Sequence, residues 1–275
     1  MFIILYFDRH NNTILLVSVV YFKYEHQQGD EQMRSKTAFI TGASRGIGAA
    51  IAERLAKEGY RLAINGQNEE RLRQKAEQIA EQYHVVCVPF AGDIGDAGFV
   101  KDVMEEIDTR LGGVDVLVNN AGIAHIGLLT EMPEEEWEQV IRTNLTSVFL
   151  CSKYAAKQML HKKSGKIVNI SSVWGNVGAS CEVAYSASKG GVNALTRALA
   201  KELAPSNIQV NAIACGVIDT DMNRCFTKGE RQALEQELPC GRYGTPQEVA
   251  ELAAFLADAP AYLTGQIVTL DGGWI

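Results

Sequence analysis

The sequence predicts a single α/β domain, in which a doubly wound parallel sheet carries helices on both faces. From Ser35 onward, short apolar runs alternate with amphipathic stretches of helical length, which is typical of strand–helix–strand units. Apolar runs such as VDVLV at 114–118 and KIVNI at 166–170 are nearly continuous, which indicates strands buried on both faces. Helices between consecutive strands indicate parallel pairing, because a parallel pair needs a long crossover connection.

The individual elements follow from this alternation. In the first helix Ile47, Ile51 and Leu55 recur at helical spacing, and the same periodicity marks the later helices. The predicted strands are 36–40, 62–64, 85–89, 114–118, 166–170, 208–214 and 267–270. The predicted helices are one that stops at Gly59, 69–83, 97–111, one ending near 142, 147–161, 185–203 and 246–257.

Composition narrows the class of protein. The chain of 275 residues is 47% hydrophobic and 21% charged, a balance that supports one sizeable globular core. Its net charge of −7 argues against nucleic acid or an anionic membrane as the main partner. The six cysteines lack C-x-x-C pairing and the five histidines are scattered, so we expect free thiols, a cytoplasmic location and no metal site.

Residues 1–32 form an atypical N-terminal arm ahead of the domain predicted over 33–275. Residues 13–22 are apolar but reach only half of the roughly 20 residues needed to span a bilayer. They also lack the basic region and cleavage site of a secretory signal. We expect the native chain to start at Met33, the arm being a translated upstream region or disordered. The alternative is a genuine hydrophobic arm for a partner or a membrane surface.

Three glycines follow the first strand and open the first helix. Gly42 permits a tight turn, Gly46 lets the backbone approach a pyrophosphate, and Gly48 allows close packing of helix on strand. The helix N-terminus adds free N–H groups and a partial positive charge. We therefore interpret the turn as a dinucleotide site rather than as a connection that happens to be rich in glycine.

The spacing of this turn, T-G-A-S-R-G-I-G at 41–48, resembles that of the short-chain dehydrogenase/reductase family, whose members have a Rossmann fold. The similarity runs from residue 36 to the C-terminus, which carries the family's Y-L-T-G-Q and D-G-G sequences. The resemblance implies an oxidoreductase that interconverts a ketone and a secondary alcohol with a nicotinamide cofactor. It also implies that Ser44 and Ile47 bind the cofactor together with the three glycines.

The charge expected around the adenosine ribose favours NADP(H) over NAD(H). A carboxylate at the end of the second strand would bind a ribose 2′-hydroxyl and repel a 2′-phosphate, and Gly66 stands at that place. Arg45 could pair with a 2′-phosphate, or it could be a surface arginine that pairs with a nearby carboxylate. Gln67 stands where many family members have a second basic residue, which leaves NAD(H) as the alternative.

A tyrosine and a lysine are spaced for catalysis. Tyr185 and Lys189 lie four residues apart in a predicted helix, so the ammonium can lie beside the phenol. Together with an oxidised nicotinamide, Lys189 is expected to lower the pKa of the phenol from about 10. Ser172 closes the fifth strand at the carboxyl edge of the sheet, where open α/β sheets bind ligands. Ser171 is the alternative, but strand alternation turns its side chain the other way.

The resemblance assigns roles to these residues. Ser172, which precedes Tyr185 by 13 residues, would hydrogen-bond the substrate oxygen. Tyr185 would exchange a proton with that oxygen, and both Tyr185 and Lys189 would contact the cofactor. Asn144, between two helical stretches, would disturb the helix hydrogen bonding and hold a water that connects Lys189 to solvent.

Further motifs resemble the family's contacts to the cofactor. These implied contacts are Asp93 and Ile94 after the third strand, Asn120, Ala121 and Gly122 after the fourth, and Gly216, Ile218 and Thr220 after the sixth. Thr220 would hold the nicotinamide carboxamide. Cys215 stands where the family has a proline, so we expect a less rigid loop there. Its thiol is interpreted either as a packing group or as a reactive group near the nicotinamide.

The substrate is the least constrained part of the prediction. Residues 219–240 would form a small lid, in which Met222, Phe226 and Leu234 line an apolar pocket or simply pack the lid. The turn G-R-Y-G-T-P-Q-E-V and the D-G-G ending resemble the 3-oxoacyl-[acyl-carrier-protein] reductases within the family. The alternatives are a hydroxysteroid, sugar or other small-alcohol dehydrogenase and, from another class, a nucleotide-binding regulator without turnover.

Partners are implied by the same resemblance. An acidic carrier protein would dock on basic residues beside the active site, for which Lys162 and Lys163 are candidates, although Ser206 replaces the second usual arginine. Family members usually form homotetramers through the helices predicted at 147–161 and 185–203. The Ala-rich second helix permits close packing, but the core helix of a monomer could have the same composition.

Overall fold

The computed structural model describes residues 4–8, 13–17, 35–225 and 227–275, with backbone alone for the first two segments and for residues 224 and 225. Contacts divide the chain into two units, Met1–Arg34 and Ser35–Ile275. In the first unit β1 (Ile4–Asp8) and β2 (Thr13–Val17) pair as an antiparallel hairpin. The rest of the predicted arm lies outside the described residues, and its absence from the native protein stays a prediction.

The second unit is built on one parallel sheet of seven strands. Their order is β5-β4-β3-β6-β7-β8-β9, and every neighbouring pair is parallel. Within this unit the chain enters the sheet at the central strand β3 and runs outward through β4 to β5 at one edge. It then returns to the other side of β3, which creates a switch point between β3 and β6. The predicted doubly wound sheet is confirmed. The strands are β3 (Thr37–Ile40), β4 (Arg61–Gly66), β5 (Cys87–Ala91), β6 (Val116–Asn119), β7 (Gly165–Ser172), β8 (Ile208–Cys215) and β9 (Ile267–Leu270).

Helices cover both faces of this sheet. They are α1 (Gly46–Lys57), α2 (Glu69–Tyr83), α3 (Ala97–Leu111), α4 (Glu134–Ile141), α5 (Ser147–Lys162), α6 (Trp174–Val177), α7 (Val183–Leu203), α8 (Lys228–Glu237) and α9 (Pro246–Asp258). The bounds predicted for α2, α3 and β9 are confirmed. The other predicted elements are present, with ends that differ by no more than two residues, because the ends of helices and strands carry weak local signals.

The core lies in two layers, one on each face of the sheet. Alternate residues of β3 serve different layers: Ala38 and Ile40 belong to the layer under α1, α2 and α9, whereas Phe39 belongs to the layer under α3, α5 and α7. All three side chains are fully buried. Burial on both faces explains why the strands are apolar at successive positions.

The elements for which the sequence predicted no bounds include a π-helical turn and two helices. A single π-helical turn, Arg142–Thr146, joins α4 directly to α5. The short helix α6 follows β7. In the predicted lid, α8 begins at a capping box in which Thr227 and Glu230 exchange hydrogen bonds. Within the described ranges, no helix has the length and apolar character needed to cross a membrane.

Candidate active site

The glycine turn packs tightly between β3 and α1. Gly42 and Gly46 have φ angles of +65° and +57°, a left-handed conformation that favours glycine. A Cβ on Gly42 would stand 2.8 Å from Ala121 Cα, and one on Gly48 would overlap the carbonyl oxygen of Gly42. The turn therefore needs glycine at all three places, which agrees with the interpretation of the sequence.

Thr41 and Asn120 hold the turn in place. The backbone N–H groups of Asn120 and Ala121 each donate to Thr41 Oγ1 at 3.0 Å. The Asn120 amide donates to Thr41 O at 2.9 Å and to Gly42 O at 3.1 Å. The Asn120 side chain is thus used to position the turn. No role was predicted for Thr41 from the sequence, although a threonine directly between a strand and such a turn was a usable signal.

The residues present fit a dinucleotide phosphate group. The first turn of α1 contains no acidic residue and no side chain caps its N-terminus, so its N–H groups remain available for an anion. The Thr220 side chain lies over this turn, because a Cβ on Gly46 would be 3.6 Å from Thr220 Cγ2. Thr220 thus belongs to the same site as the glycines, as the resemblance implied.

The position expected for the ribose phosphate lies at the end of β4. A Cβ on Gly66 would stand 3.2 Å from the Ser44 Cβ, so Ser44 borders this corner. Arg45 Nη1 lies 2.8 Å from Asp221 Oδ2, and the two side chains are 59% and 28% exposed. Arg45 therefore pairs with a carboxylate, which is the alternative interpretation given for it from the sequence.

Asp93 and Ile94, the two residues predicted to contact adenine, are fixed by neighbouring parts of the chain. Asp93 accepts hydrogen bonds from Gly95 N at 2.9 Å and from Arg142 Nη1 at 2.6 Å. Ile94 is buried in the layer under α3. The Asp93 carboxylate thus fixes the loop after β5 to the π-helical turn.

Ser172, Tyr185 and Lys189 meet at the carboxyl edge of the sheet. Ser172 is the last residue of β7, and its hydroxyl hydrogen-bonds with Tyr185. Lys189 Nζ lies 5.6 Å from the centroid of the Tyr185 ring and donates to Ile170 O at 2.8 Å. Ser171 instead directs its hydroxyl to the backbone oxygen of Lys189 at 3.4 Å. The geometry thus places Ser172, and not Ser171, beside the phenol.

The surroundings of Tyr185 and Lys189 shift the pKa of both side chains. Burial raises the pKa of the phenol above its ordinary value, and the hydrogen bond with Ser172 opposes that change. Burial also lowers the pKa of Lys189 to about 8. The lowering expected from Lys189 together with an oxidised nicotinamide stays a prediction, because in the chain itself desolvation of the phenol is the largest influence.

Asn144 connects α7, the helix that carries Tyr185 and Lys189, to the loop after β6. It lies in the π-helical turn, which is the predicted disturbance of helix hydrogen bonding. Its amide accepts from Ile123 N and donates to Ile123 O, both at 2.8 Å, and donates to Ser188 Oγ at 3.1 Å. A Cβ on Gly122 would stand 3.4 Å from Asn144 Oδ1 and 3.5 Å from Lys189 Nζ, so this loop passes close to both.

The segment after β8 is more closely packed than the missing proline suggested. Burial raises the pKa of the Cys215 thiol to about 12, which favours the packing interpretation over a reactive thiolate. A Cβ on Gly216 would stand 2.7 Å from Asp271 Cβ. The Ile218 side chain is buried, with its Cδ1 against Gly244. Any contact of Ile218 with a cofactor would therefore use its backbone.

The predicted lid is only partly described. Met222 is exposed and Leu234 is half-buried, whereas Phe226 lies outside the described residues. Arg231 of α8 pairs with Asp219 at 2.9 Å and lies over the Tyr243 ring at 4.5 Å. These contacts attach α8 to the segment that follows β8.

The two lysines proposed for carrier docking lie elsewhere. Lys162 ends α5 and pairs with Asp115 at 2.7 Å, and Lys163 follows it two residues before β7 begins. Ser172 ends β7, seven residues after its first residue Gly165, which corresponds to roughly 23 Å. The expectation that Lys162 and Lys163 lie beside the active site is therefore wrong within one chain, because a helix that precedes a parallel strand ends at its amino edge.

A glycine turn at the switch point of a doubly wound sheet, beside a serine, a tyrosine and a lysine, defines a nicotinamide-dependent oxidoreductase. A family model described as enoyl-(acyl carrier protein) reductase matches residues 42–275. The chain belongs to the short-chain dehydrogenase/reductase family.

Individual relatives agree with this class. The chain is 40% identical over 243 residues to a 3-oxoacyl-[acyl-carrier-protein] reductase of Aquifex aeolicus, covering 88% of this chain and 98% of that protein. It is 43% identical over 243 residues to a protein of the same name from Staphylococcus aureus, covering 87% and 98%. A variant of actinorhodin polyketide ketoreductase, solved with NADPH, has a TM-score of 0.82 and 37% identity, covering 87% and 97%. The chain is thus an oxidoreductase that interconverts a ketone and a secondary alcohol.

Proposed function

We propose that this enzyme uses NADPH to reduce the ketone of 3-oxoacyl thioesters carried by acyl carrier protein. The observation that carries the proposal is the meeting of Ser172, Tyr185 and Lys189 beside the glycine turn. The two relatives named as 3-oxoacyl-[acyl-carrier-protein] reductases support the choice of substrate.

The proposed mechanism uses the chain's own hydroxyl groups. The bound nicotinamide supplies the hydride. Ser172 hydrogen-bonds the carbonyl oxygen and orients it, and Tyr185 donates its proton to that oxygen. The raised pKa of Tyr185 keeps the phenol protonated before the reaction, as a proton donor requires. The Lys189 ammonium, 5.6 Å from the ring centroid, stabilises the phenolate that remains.

Asn144 completes the set of proposed catalytic residues as a positioning residue. Its amide binds Ser188 Oγ, and Ser188 in turn donates to Tyr185 O at 2.7 Å. This arrangement fixes the turn of α7 that carries Tyr185 and Lys189.

The cofactor is proposed to be NADPH rather than NADH. The pyrophosphate would bind at Gly42, Gly46, Ile47 and Gly48, and the nicotinamide near Thr220, Gly216 and the Ile218 backbone. Asp93, Ile94, Asn120, Ala121 and Gly122 would surround the adenosine. The corner between Gly66 and Ser44 contains no carboxylate of β4, and Arg45 lies at the turn beside it, which supports a 2′-phosphate there.

We also propose a homotetramer in the cytoplasm. Phe149 and Leu160 on α5 are 49% and 43% exposed, although large apolar side chains are usually buried. They support assembly through α5, together with α7 as in the family. The five cysteines whose side chains are described are free, which supports a reducing compartment. Size-exclusion chromatography with light scattering tests the assembly, and a monomer would contradict it.

A small free ketone is the second candidate substrate. It is favoured by the position of Lys162, which is paired with Asp115 at the amino edge of the sheet and far from Ser172. If an acyl carrier protein docks on Lys162 and Lys163, carrier recognition would depend on the active site of a neighbouring subunit.

The experiment compares kcat/KM for acetoacetyl-acyl carrier protein, acetoacetyl thioesters of small thiols, a ketosteroid and a keto sugar, with NADPH and NADH. We expect the thioesters with NADPH to be preferred. Preference for the steroid or sugar would support the small-ketone candidate, and no turnover of any ketone would support a regulator.

The same assay tests the proton donor. Tyr185→Phe should lower kcat about 10²- to 10⁴-fold, the usual contribution of a general acid, while NADPH binding is retained. Tyr262→Phe, at a fully exposed position, is the matched control. Undiminished turnover in Tyr185→Phe would place the acid elsewhere.

A further inference from the structure

The residue before α7 carries a carboxylate that the mechanism does not use. Glu182 is the N-cap of α7, three positions ahead of Tyr185 in the first turn of that helix. Short polar residues such as Asp, Asn, Ser and Thr commonly cap this position, whereas the Glu182 side chain makes no cap hydrogen bond. It hydrogen-bonds with Trp174 instead.

Trp174 connects this carboxylate to the reaction site. Its backbone N–H donates to Ser172 Oγ at 3.2 Å, and its ring packs against Trp274 with centroids 4.9 Å apart. The two indoles and Glu182 form a group that we call the indole wall. Its position next to Ser172 and Tyr185 makes it a boundary of the site that receives the substrate carbonyl.

The charge of Glu182 acts on the reacting groups. It contributes to the raised pKa of Tyr185, so the carboxylate lies within effective electrostatic range of the phenol. In the part of the chain that the structure describes, no side-chain cation forms a salt bridge with Glu182. The indole wall therefore presents a negative charge beside the carbonyl site.

We infer that Glu182 is a specificity-determining residue, which selects uncharged 3-oxoacyl esters and thioesters against the corresponding free 3-oxo acids. The inference rests on the proposed function. In a free 3-oxo acid the carboxylate is two bonds from the ketone carbon, so binding would bring a second negative charge close to Glu182. An ester or thioester of the same skeleton has no charge there.

The size of the discrimination follows from Coulomb's law. Two unit charges about 6 Å apart in a half-buried site with an effective dielectric constant of about 40 repel each other enough for roughly a tenfold difference in kcat/KM. The indole wall also favours the ester, because an uncharged group can pack against aromatic rings without losing strong hydration.

The test compares acetoacetate with methyl acetoacetate, which differ in charge but share the reacting ketone. Both are assayed with NADPH at pH 8, where a carboxyl group is ionised even if burial raises its pKa, as it does for Glu182. Glu182→Gln should raise kcat/KM for acetoacetate about tenfold relative to methyl acetoacetate. Glu182→Asp keeps the charge and should keep the wild-type ratio.

Glu81→Gln is the matched control, since it changes the net charge equally at an exposed position of α2. Its ratio should equal that of the wild type. A salt titration of the wild-type enzyme provides a second readout, because screening should shift the ratio towards acetoacetate.

An unchanged ratio in Glu182→Gln, with methyl acetoacetate still reduced, would overturn the inference alone. A wild-type enzyme that reduces neither methyl acetoacetate nor acetoacetyl thioesters would overturn the proposed function and this inference with it.

Discussion

Replacing Asp221 with asparagine removes the carboxylate that pairs with Arg45. Arg45 Nη1 lies 2.8 Å from Asp221 Oδ2, so Arg45 has to leave this partner before it can bind a 2′-phosphate. Asp221→Asn should therefore strengthen the binding of NADPH. NADH carries no 2′-phosphate, and its affinity should remain the same.

The exposure of the Arg45–Asp221 pair sets the size of the expected change in the Kd of NADPH. The two side chains are 59% and 28% exposed, and pairs of this kind contribute about 0.2–1 kcal/mol. If the cost of breaking the pair is removed, the Kd of NADPH should fall by about 1.4- to 5-fold. The effect should shrink at high salt, since screening already weakens the pair.

The assay is fluorescence titration of NADPH and NADH into both proteins at low and high salt. Asp219→Asn is the matched control, because Asp219 pairs with Arg231 and the substitution makes the same change in charge two residues away. An equal gain for both cofactors, or weaker NADPH binding in Asp221→Asn, would refute the reasoning.

Three further predictions concern packing and ionisation. Gly48→Ala should weaken NADPH binding at least tenfold and lower Tm, because its Cβ would overlap Gly42 O; unchanged binding by titration would show that the turn can move. Reduction should decline as pH rises through about 8, where Lys189 loses its proton, and not near the ordinary lysine value of about 10.4; a pH–kcat/KM profile flat to pH 10 would contradict this. Cys240 is exposed whereas Cys215 is buried with a pKa of about 12, so maleimide should label Cys240 before Cys215, as read by peptide mass spectrometry; faster labelling of Cys215 would restore its reactive interpretation.

Helix α3 shows why much of the fold could be predicted from the sequence. Asp96 caps its N-terminus by accepting from Phe99 N at 2.7 Å, and Gly112 ends it with a φ of +70°. Both signals are local and depend only on residue type. The strands were found for a similar reason, since burial on both faces leaves continuous apolar runs.

The π-helical turn could not be predicted in this way. Arg142–Thr146 continues the helical pattern without a proline or glycine to mark a change, and a π turn differs from an α turn only in its hydrogen bonding. Its presence was expected at Asn144 through the family resemblance alone.

In the candidate site, too, features with a local sequence pattern could be predicted, whereas contacts between distant residues could not. The residue types and spacing of Ser172, Tyr185 and Lys189 were sufficient to group them, because each lies at a carboxyl strand end or on one helix face. The partner of Arg45 was not predictable, since Asp221 lies 176 residues away in sequence. The pKa of Tyr185 depends on its burial, which spacing does not reveal.

The position of Lys162 could have been predicted. A helix between two parallel strands runs antiparallel to them, so its last residue lies at the edge opposite to the ligand site. The resemblance suggested a docking role for Lys162 and Lys163, but the direction of α5 already indicated that they lie away from Ser172.

The π-helical turn also limits how this enzyme can change. Deleting one residue from Arg142–Thr146 would restore regular α-helical geometry and rotate all 16 residues of α5 by about 100° relative to α4. Cys151, Ala155 and Met159, now fully buried, would turn out of the interior. A shortened chain would therefore lose its folding stability as well as the Asn144 contacts, which makes this insertion hard to remove in evolution or by design.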